Sequence, residues 1–150
     1  NTLFHDNYHN SGYKLIRKAI WIENCIKKFY ISKDQNQVAS SLLKEKLCKV
    51  DSKKISYWHD EPLTVKCIDF SQWLKLLCNS FKNNCIITLK LDIEGAEYEV
   101  LQKMINDDTI CLVNKLYVEF HSETLPEKKE IENQLIINLK KCGVTPNEWD

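Results

Sequence analysis

Two stretches near the start of the chain are rich in β-branched and aromatic residues and alternate in part between apolar and polar positions. They cover residues 13–21 and 25–32, with a short break at Glu23 and Asn24. This pattern is typical of strands and predicts two neighbouring strands. Residues 33–60 are mostly polar and show no strong period, which indicates a long loop with one short helix at its centre.

A strand, an amphipathic helix and a second strand are predicted next. Residues 63–68 form a short strand, and Asp69 with Gln72 has the D-x-x-Q form of a capping box at a helix start. The apolar positions that follow recur with the spacing of one helix face, and we expect this helix to end near residues 83–84. These positions are Phe70, Trp73, Leu74, Leu77, Cys78 and Phe81. Residues 85–91 are apolar at nearly every position, as expected of a strand covered on both faces in a parallel sheet.

The last part of the chain repeats this order of elements. Apolar positions spaced by three and four predict a helix that begins around Gly95 and ends near Asn106. Residues 110–121 form another predicted strand, and Pro126 and Gly143 mark the start and the C-terminal cap of a final helix. Alternating strands and helices are typical of βαβ units, so the predicted fold class is α/β with a largely parallel sheet.

Length and composition describe an ordinary folded domain. The chain has 150 residues, 43% of them hydrophobic, and we expect residues 1–150 to form a single domain. Basic and acidic residues number 21 each, so no excess of positive charge favours nucleic acid as a partner. The sequence has no apolar run of about 18 residues and no charged-then-apolar leader, which predicts a cytoplasmic protein without a membrane segment.

Cysteines and glycines exclude several kinds of site. The seven cysteines form no C-x-x-C pair and lack the close spacing of a zinc site, so we interpret them as reduced thiols. Gly12, Gly95 and Gly143 are the only glycines, which excludes the glycine-rich loops of self-contained dinucleotide and nucleoside triphosphate sites. The chain begins at Asn1 rather than methionine, and we expect it to be a fragment of a longer chain.

The candidate chemistry lies where two of the predicted strands end. Ligands bind beyond the carboxyl ends of parallel strands, and Asp92 and His121 both fall at such ends. Glu94 lies in the turn after Asp92, where Gly95 permits a sharp turn or the close approach of a ligand. An imidazole can act as a base near neutral pH. Glu119 is an acid in an apolar strand, which is costly to bury unless it is paired or faces a cleft, so we expect it to pair with His121.

Several of these residues also have a purely structural interpretation. Asp92 is equally well explained as a helix N-cap, and Glu119 with His121 as a structural hydrogen bond. For Glu97, in the first turn of the predicted helix, we favour simple stabilisation by the helix dipole. The serines at positions 40–41 are interpreted as loop or cap residues.

Two strings of the sequence resemble one known family. LKLDIEGAEYEVL at residues 89–101, followed by KLYVEFH at residues 115–121, resembles the FkbM family of S-adenosylmethionine-dependent methyltransferases. The upstream segments occur in the order which that family shows: LIRKAIW at residues 15–21, FYIS at 29–32, the serines at 40–41 and VKCIDFSQWL at 65–74. The resemblance covers roughly residues 13–143.

The resemblance implies a class I methyltransferase fold, which is a Rossmann-like, doubly wound and mostly parallel sheet. The segments that hold the methionine part and the ribose of the cofactor in this family are not recognisable in the sequence, so we expect the sheet to be incomplete on its N-terminal side. By the same resemblance, Ala19 lies near the adenine of S-adenosylmethionine. Asp92, Glu94 and Gly95 match the motif beside the methyl-transfer point and would contact the cofactor.

The implied reaction is O-methylation of a sugar-like or other small hydroxylated acceptor, free or within a glycan. Asp92, Glu119 and His121 are the expected catalytic residues. Asp92 or His121 would take the proton from the acceptor hydroxyl, and Glu119 would orient the imidazole.

Two further functions stay open from the sequence. Asp92, Glu94, Glu119 and His121 form an oxygen-rich set suited to a divalent metal ion, which would serve hydrolysis or assist methyl transfer. The other possibility is a non-catalytic remnant of a methyltransferase fold that acts as a binding module.

Overall fold

The computed structural model describes residues 15–33, 37, 39–45, 58–59, 61–81 and 85–147. Within these ranges the chain forms two small sheets, three α-helices and two short 3-10 helices. The predicted helix at the centre of the 33–60 loop lies largely outside the described residues, and positions 39–45 contain none.

The first sheet consists of β1 (Ala19–Trp21), β2 (Ile26–Phe29) and β3 (Leu63–Asp69) in the order β1-β3-β2. β1 runs parallel to β3 and β2 runs antiparallel to it. The two early strands are therefore confirmed but are shorter than predicted, and they do not pair with each other because β3 lies between them.

The first helix, α1 (Phe70–Ser80), begins where the sequence predicts. The Asp69 carboxylate accepts the backbone N–H of Gln72 at 2.9 Å, which is one half of the capping box. In the other half of a capping box, the Gln72 side chain would accept the Asp69 N–H. Here the Asn24 side chain accepts this N–H and donates to the Gln72 side chain, both at 3.3 Å. The helix ends at Ser80, a few residues before the predicted end, which lies outside the described residues.

The second sheet consists of β4 (Thr88–Leu91), β5 (Lys115–Val118) and β6 (Pro146–Asn147), all parallel, in the order β4-β5-β6. The prediction that β4 is covered on both faces is wrong for the described part of the chain. Leu91 is fully buried, but Ile86 is 84% exposed, and Lys90 on the same face is also exposed.

The predicted strand over residues 110–121 is also shorter in the structure. A 3-10 helix (Thr109–Leu112) occupies its first part, and β5 ends at Val118. Asp108 adopts a left-handed backbone conformation with φ of 58°, and the Thr109 hydroxyl lies 2.6 Å from that of Ser71 on α1. This polar contact fixes the 3-10 turn against α1, so the chain becomes extended only afterwards.

The remaining helices are α2 (Glu97–Asn106) and α3 (Lys129–Lys141), the latter preceded by a 3-10 helix (Pro126–Lys128). Both α-helices confirm the helices that the sequence pattern predicts in these ranges. Gly143 has a φ of +79° and follows α3, where the Val144 N–H reaches back to the Leu139 carbonyl, so it closes the helix as a left-handed cap.

One main hydrophobic core joins the second sheet to the three helices. α1 contributes Phe70, Leu74 and Cys78, which are 2–4% exposed, and the completely inaccessible members come mainly from the second sheet, α2 and α3. They include Leu91, Leu101, Met104, Leu116 and Leu139. A smaller cluster, with Trp21, Cys67 and Ala96, joins the first sheet to the start of α2. The fold is therefore mixed α/β with parallel strands, as predicted, and the full doubly wound arrangement stays a prediction.

Among the described residues, no helix has both the length and the apolar character that crossing a membrane requires.

Candidate functional site

The turn between β4 and α2 has an unusual backbone. Glu94 and Gly95 both have positive φ angles, 57° and 102°. A left-handed conformation costs a residue with a side chain about 1–2 kcal/mol, so the surrounding structure has to hold Glu94 in place. Ser41 does so: its hydroxyl donates a 2.6 Å hydrogen bond to the Glu94 carbonyl and accepts the Leu43 N–H at 2.9 Å. Ser41 is fully buried, so this loop serine supports the turn.

Position 95 requires glycine because of the surrounding packing as well as because of its positive φ angle. A Cβ at this position would stand 2.6 Å from Cδ1 of Leu125 and 3.2 Å from Cδ1 of Leu43. The space that a side chain would occupy is thus filled by Leu125. Contact between Gly95 and a cofactor stays a prediction.

A buried carboxylate links this turn to the end of β5. Glu97 is 0% exposed, and its Oε2 accepts the Gly95 N–H at 2.9 Å. Its Oε1 accepts the backbone N–H of His121 at 3.2 Å and lies 3.0 Å from the ring Nδ1. A carboxylate can only accept hydrogen bonds, so a hydrogen bond from the ring to Glu97 uses Nδ1–H and leaves Nε2 as the nitrogen that faces Glu94.

The helix-dipole interpretation of Glu97 is therefore incomplete, because this carboxylate is buried and paired with His121. Glu97, rather than Glu119, lies within hydrogen-bond distance of the imidazole, and a role for Glu119 at the site stays a prediction. The Glu119 side chain is 48% exposed, follows the end of β5, and has its Oε1 3.9 Å from His121 Nε2. A signal for Glu97 was present in the sequence, because it precedes Leu101 and Met104 by four and seven residues and so lies on the buried stripe of α2.

The predicted site residues at the ends of β4 and β5 do come together. Glu94 Oε2 lies 3.3 Å from His121 Nε2, and one ligand atom each of Asp92, Glu94 and His121 lies within 4.8 Å of the others. Asp92 is 36% exposed and lies 4.0 Å from the Lys90 ammonium group. We call Asp92, Glu94, Glu119 and His121 the acidic cluster.

The structure decides the N-cap prediction for Asp92 and gives the position of Ala19. Asp92 is not a helix cap, because the N-cap of α2 is Ala96, which makes no side-chain capping bond. Ala19 lies in β1, paired with Cys67 and packed against the smaller core cluster. It is thus on the first sheet rather than in the acidic cluster, and its place beside an adenine stays a prediction.

A cleft of about 420 Å³ adjoins the acidic cluster. It runs along the end of β5 toward α3 and β6, and its polar lining includes Glu119, Ser122, Glu123, Lys129 and Asn147. Glu119 belongs to both the cleft and the acidic cluster. The other three residues of the acidic cluster, Asp92, Glu94 and His121, are not part of the cleft lining, so Glu119 is what connects the two.

Tyr98 is a buried residue that follows Glu97 in α2. Its hydroxyl donates to Glu132 Oε2 at 3.3 Å, and its ring is 5.6 Å from that of Phe120. Burial, followed by the nearby carboxylates of Glu97 and Glu132, raises the pKa of Tyr98 above its ordinary value. The Tyr98 phenol therefore holds its proton more firmly than an ordinary tyrosine, which is already neutral at neutral pH.

Fold and site together define an α/β protein with a cluster of carboxylates and one imidazole at the carboxyl ends of parallel strands. The sequence model of the family described as Methyltransferase FkbM domain matches residues 8–144. The chain belongs to this family, as its DIEGAE and EFH strings predict, and the membership supports a methyltransferase activity. No curated protein and no solved structure matches the chain.

Proposed function

We propose that the protein transfers a methyl group from S-adenosylmethionine to a hydroxyl oxygen of a sugar-like or other small hydroxylated acceptor. The observation that carries the proposal is the buried Glu97–His121 pair, which presents Nε2 among the carboxylates of the acidic cluster in a chain of the FkbM family. An oriented imidazole at a strand end is the group that such a reaction needs to accept a proton.

The acidic cluster suits a positively charged cofactor. Asp92, Glu94 and Glu119 place three carboxylates at one end of the sheet, which complements the sulfonium and ammonium groups of S-adenosylmethionine. The residues that would hold the cofactor are Asp92, Glu94 and Gly95, with Ala19 on the adenine side. When bound, it supplies a methyl carbon already activated by the positive sulfur.

The chain's own residues have to orient the acceptor and remove its hydroxyl proton. His121 Nε2 would accept this proton, and Glu97 would stabilise the positive charge that the ring then carries. Asp92, at the exposed edge of the cluster, would accept a hydrogen bond from the same hydroxyl and fix its direction. General base catalysis of this kind contributes about 10²–10⁴-fold to a rate.

The acceptor would occupy the 420 Å³ cleft beside β5. Its lining mixes acids, lysines, a serine and an asparagine, which can hydrogen-bond several hydroxyl groups at once. Glu119, which lines the cleft and approaches the imidazole, would hold the acceptor next to the base.

The test is formation of S-adenosylhomocysteine by the purified protein with a panel of monosaccharides, glycans and polyols. We expect turnover in the unaltered protein and a loss of at least about 100-fold in Asp92→Asn and His121→Ala. Glu130→Gln, an exposed first-turn acid of α3 away from the cleft lining, is the matched control and should keep full activity. Unchanged turnover in both site variants contradicts the proposal. A folded protein that does not bind S-adenosylmethionine also contradicts it and favours the non-catalytic remnant.

A further inference from the structure

The acidic cluster brings together atoms that carry lone pairs. Because Glu97 binds Nδ1 of His121, the other ring nitrogen, Nε2, faces Glu94 Oε2 at 3.3 Å and Glu119 Oε1 at 3.9 Å. His121 is 9% exposed, so the ring is held in this direction by its surroundings. A carboxylate oxygen and an imidazole nitrogen can each donate a lone pair to a metal ion.

We propose that Asp92, Glu94 and His121 bind one divalent first-row metal ion, with Mn²⁺ or Zn²⁺ preferred over Mg²⁺ and Ca²⁺. Two carboxylate oxygens and one imidazole nitrogen are the donor set that these transition metals accept, whereas Mg²⁺ and Ca²⁺ prefer oxygen alone. Ligand atoms about 2.0–2.2 Å from one ion lie at most about 4.4 Å apart. The three ligand atoms already lie within 4.8 Å of one another, so small side-chain shifts complete the site.

The surroundings of the cluster support metal binding independently of the ligands. Metal-binding histidines usually donate their other ring N–H to a carboxylate, which fixes the tautomer, and Glu97 provides this contact. Ser41 fixes the backbone of Glu94 in its left-handed conformation. Two of the three ligands are therefore held in position by neighbours that do not themselves bind the ion.

Three protein ligands leave coordination positions open for a ligand from the cleft. An acceptor oxygen at such a position would lose its proton more easily, as metal-bound water does. Because Nε2 of His121 would be bound to the ion, Glu119, which is not one of the three ligands, would receive the proton in place of His121. Metal binding does not depend on the proposed methyl transfer, but this catalytic role does rest on it.

The binding test uses the purified protein after removal of metal with a chelator. Isothermal titration with Mn²⁺, and the Mn²⁺ electron paramagnetic resonance signal, should show one ion per chain. We expect Asp92→Asn, Glu94→Gln and His121→Asn each to weaken binding by at least about 10-fold, and Glu97→Gln to weaken it by about 10–100-fold without removing a ligand. Glu130→Gln should bind as the unaltered protein does, and circular dichroism shows which variants are folded.

Two results overturn the metal site: no uptake of Mn²⁺ or Zn²⁺ by the folded protein, or uptake that none of the three ligand variants changes. A parallel assay of methyl transfer, with and without chelator, separates the two proposals. Metal binding without methyl transfer under either condition contradicts the proposed function and supports the metal site. Methyl transfer that the chelator does not slow overturns the catalytic role of the ion.

Discussion

The hydroxyl of Ser41 donates a 2.6 Å hydrogen bond to the carbonyl of Glu94, across 53 residues of sequence. This contact ties the loop between β2 and β3 to the strained turn that carries Glu94 of the acidic cluster. The turn is consequently shaped by a residue that contributes no chemistry of its own.

Replacement of Ser41 by alanine should destabilise the protein and disturb the acidic cluster. The change leaves the Glu94 carbonyl and the Leu43 N–H without this partner, which costs about 1–3 kcal/mol. We expect Tm in differential scanning calorimetry to fall by about 2–10 °C, and methyl transfer to fall with it. Ser40→Ala is the control for activity, because the Ser40 hydroxyl contacts Gln37 and Ser32 instead of the turn. Equal losses of activity in the two variants would refute a special role for Ser41.

Replacement of Glu97 by glutamine tests the buried carboxylate. All the contacts shown for its two oxygens are with N–H groups, and an amide would bring an NH₂ group against one of them. We expect the free energy of unfolding, measured with urea, to fall by about 1–3 kcal/mol. Glu130→Gln, in the first turn of α3, should cost no more than the helix-dipole contribution of about 0.3–1 kcal/mol. Similar costs for the two variants would restore the helix-dipole interpretation of Glu97.

Two glycine replacements separate backbone strain from packing. Gly95→Ala combines a left-handed φ with a Cβ 2.6 Å from Leu125, and we expect it to cost about 2–5 kcal/mol. Gly143→Ala has a left-handed φ but no neighbour within 4 Å, so it should cost only about 1–2 kcal/mol. Chemical denaturation measures both. Leu125→Ala added to Gly95→Ala should be less harmful than the sum of the two single changes, and strict additivity would contradict the packing argument.

The buried thiol of Cys67 should make stability depend on pH in the alkaline range. Burial, followed by the neighbouring Cys25, raises the pKa of Cys67 from 9.0 to about 11. Between these values the unfolded chain releases the thiol proton while the folded chain retains it, so unfolding becomes easier as the pH rises. We expect the urea midpoint to fall from pH 9 to pH 11, and to fall less in Cys67→Ala. Rapid alkylation of Cys67 in the folded protein at pH 8, matching that of the exposed Cys111, would be inconsistent with this burial.

The sequence predicts the helices better than the strands and the site partners. The stripes of α1 and α3 follow a regular period, and local signals such as Asp69 and Gly143 mark their ends. The strand at residues 85–91 is uniformly apolar, and such a pattern does not say which face is covered. The structure covers Leu91 and leaves Ile86 exposed.

At the site, the strand ends give the positions of Asp92, Glu94 and His121 but not their contacts. Glu97 reaches His121 across 24 residues and Ser41 reaches Glu94 across 53, and no spacing rule links residues so far apart. Only the packing of α2 and the loop against the second sheet brings them together. The partner of an imidazole is therefore hard to identify from the strand that carries it.

The turn after β5 contacts the segment between β4 and α2 at two points. The His121 ring contacts the Glu97 carboxylate, and the Leu125 side chain fills the space beside Gly95. Within the β5 turn, the Leu125 N–H donates to the His121 carbonyl, which closes the loop on itself. A substitution that displaces one of these turns should therefore displace the other as well, so the two strand ends form one unit of the fold.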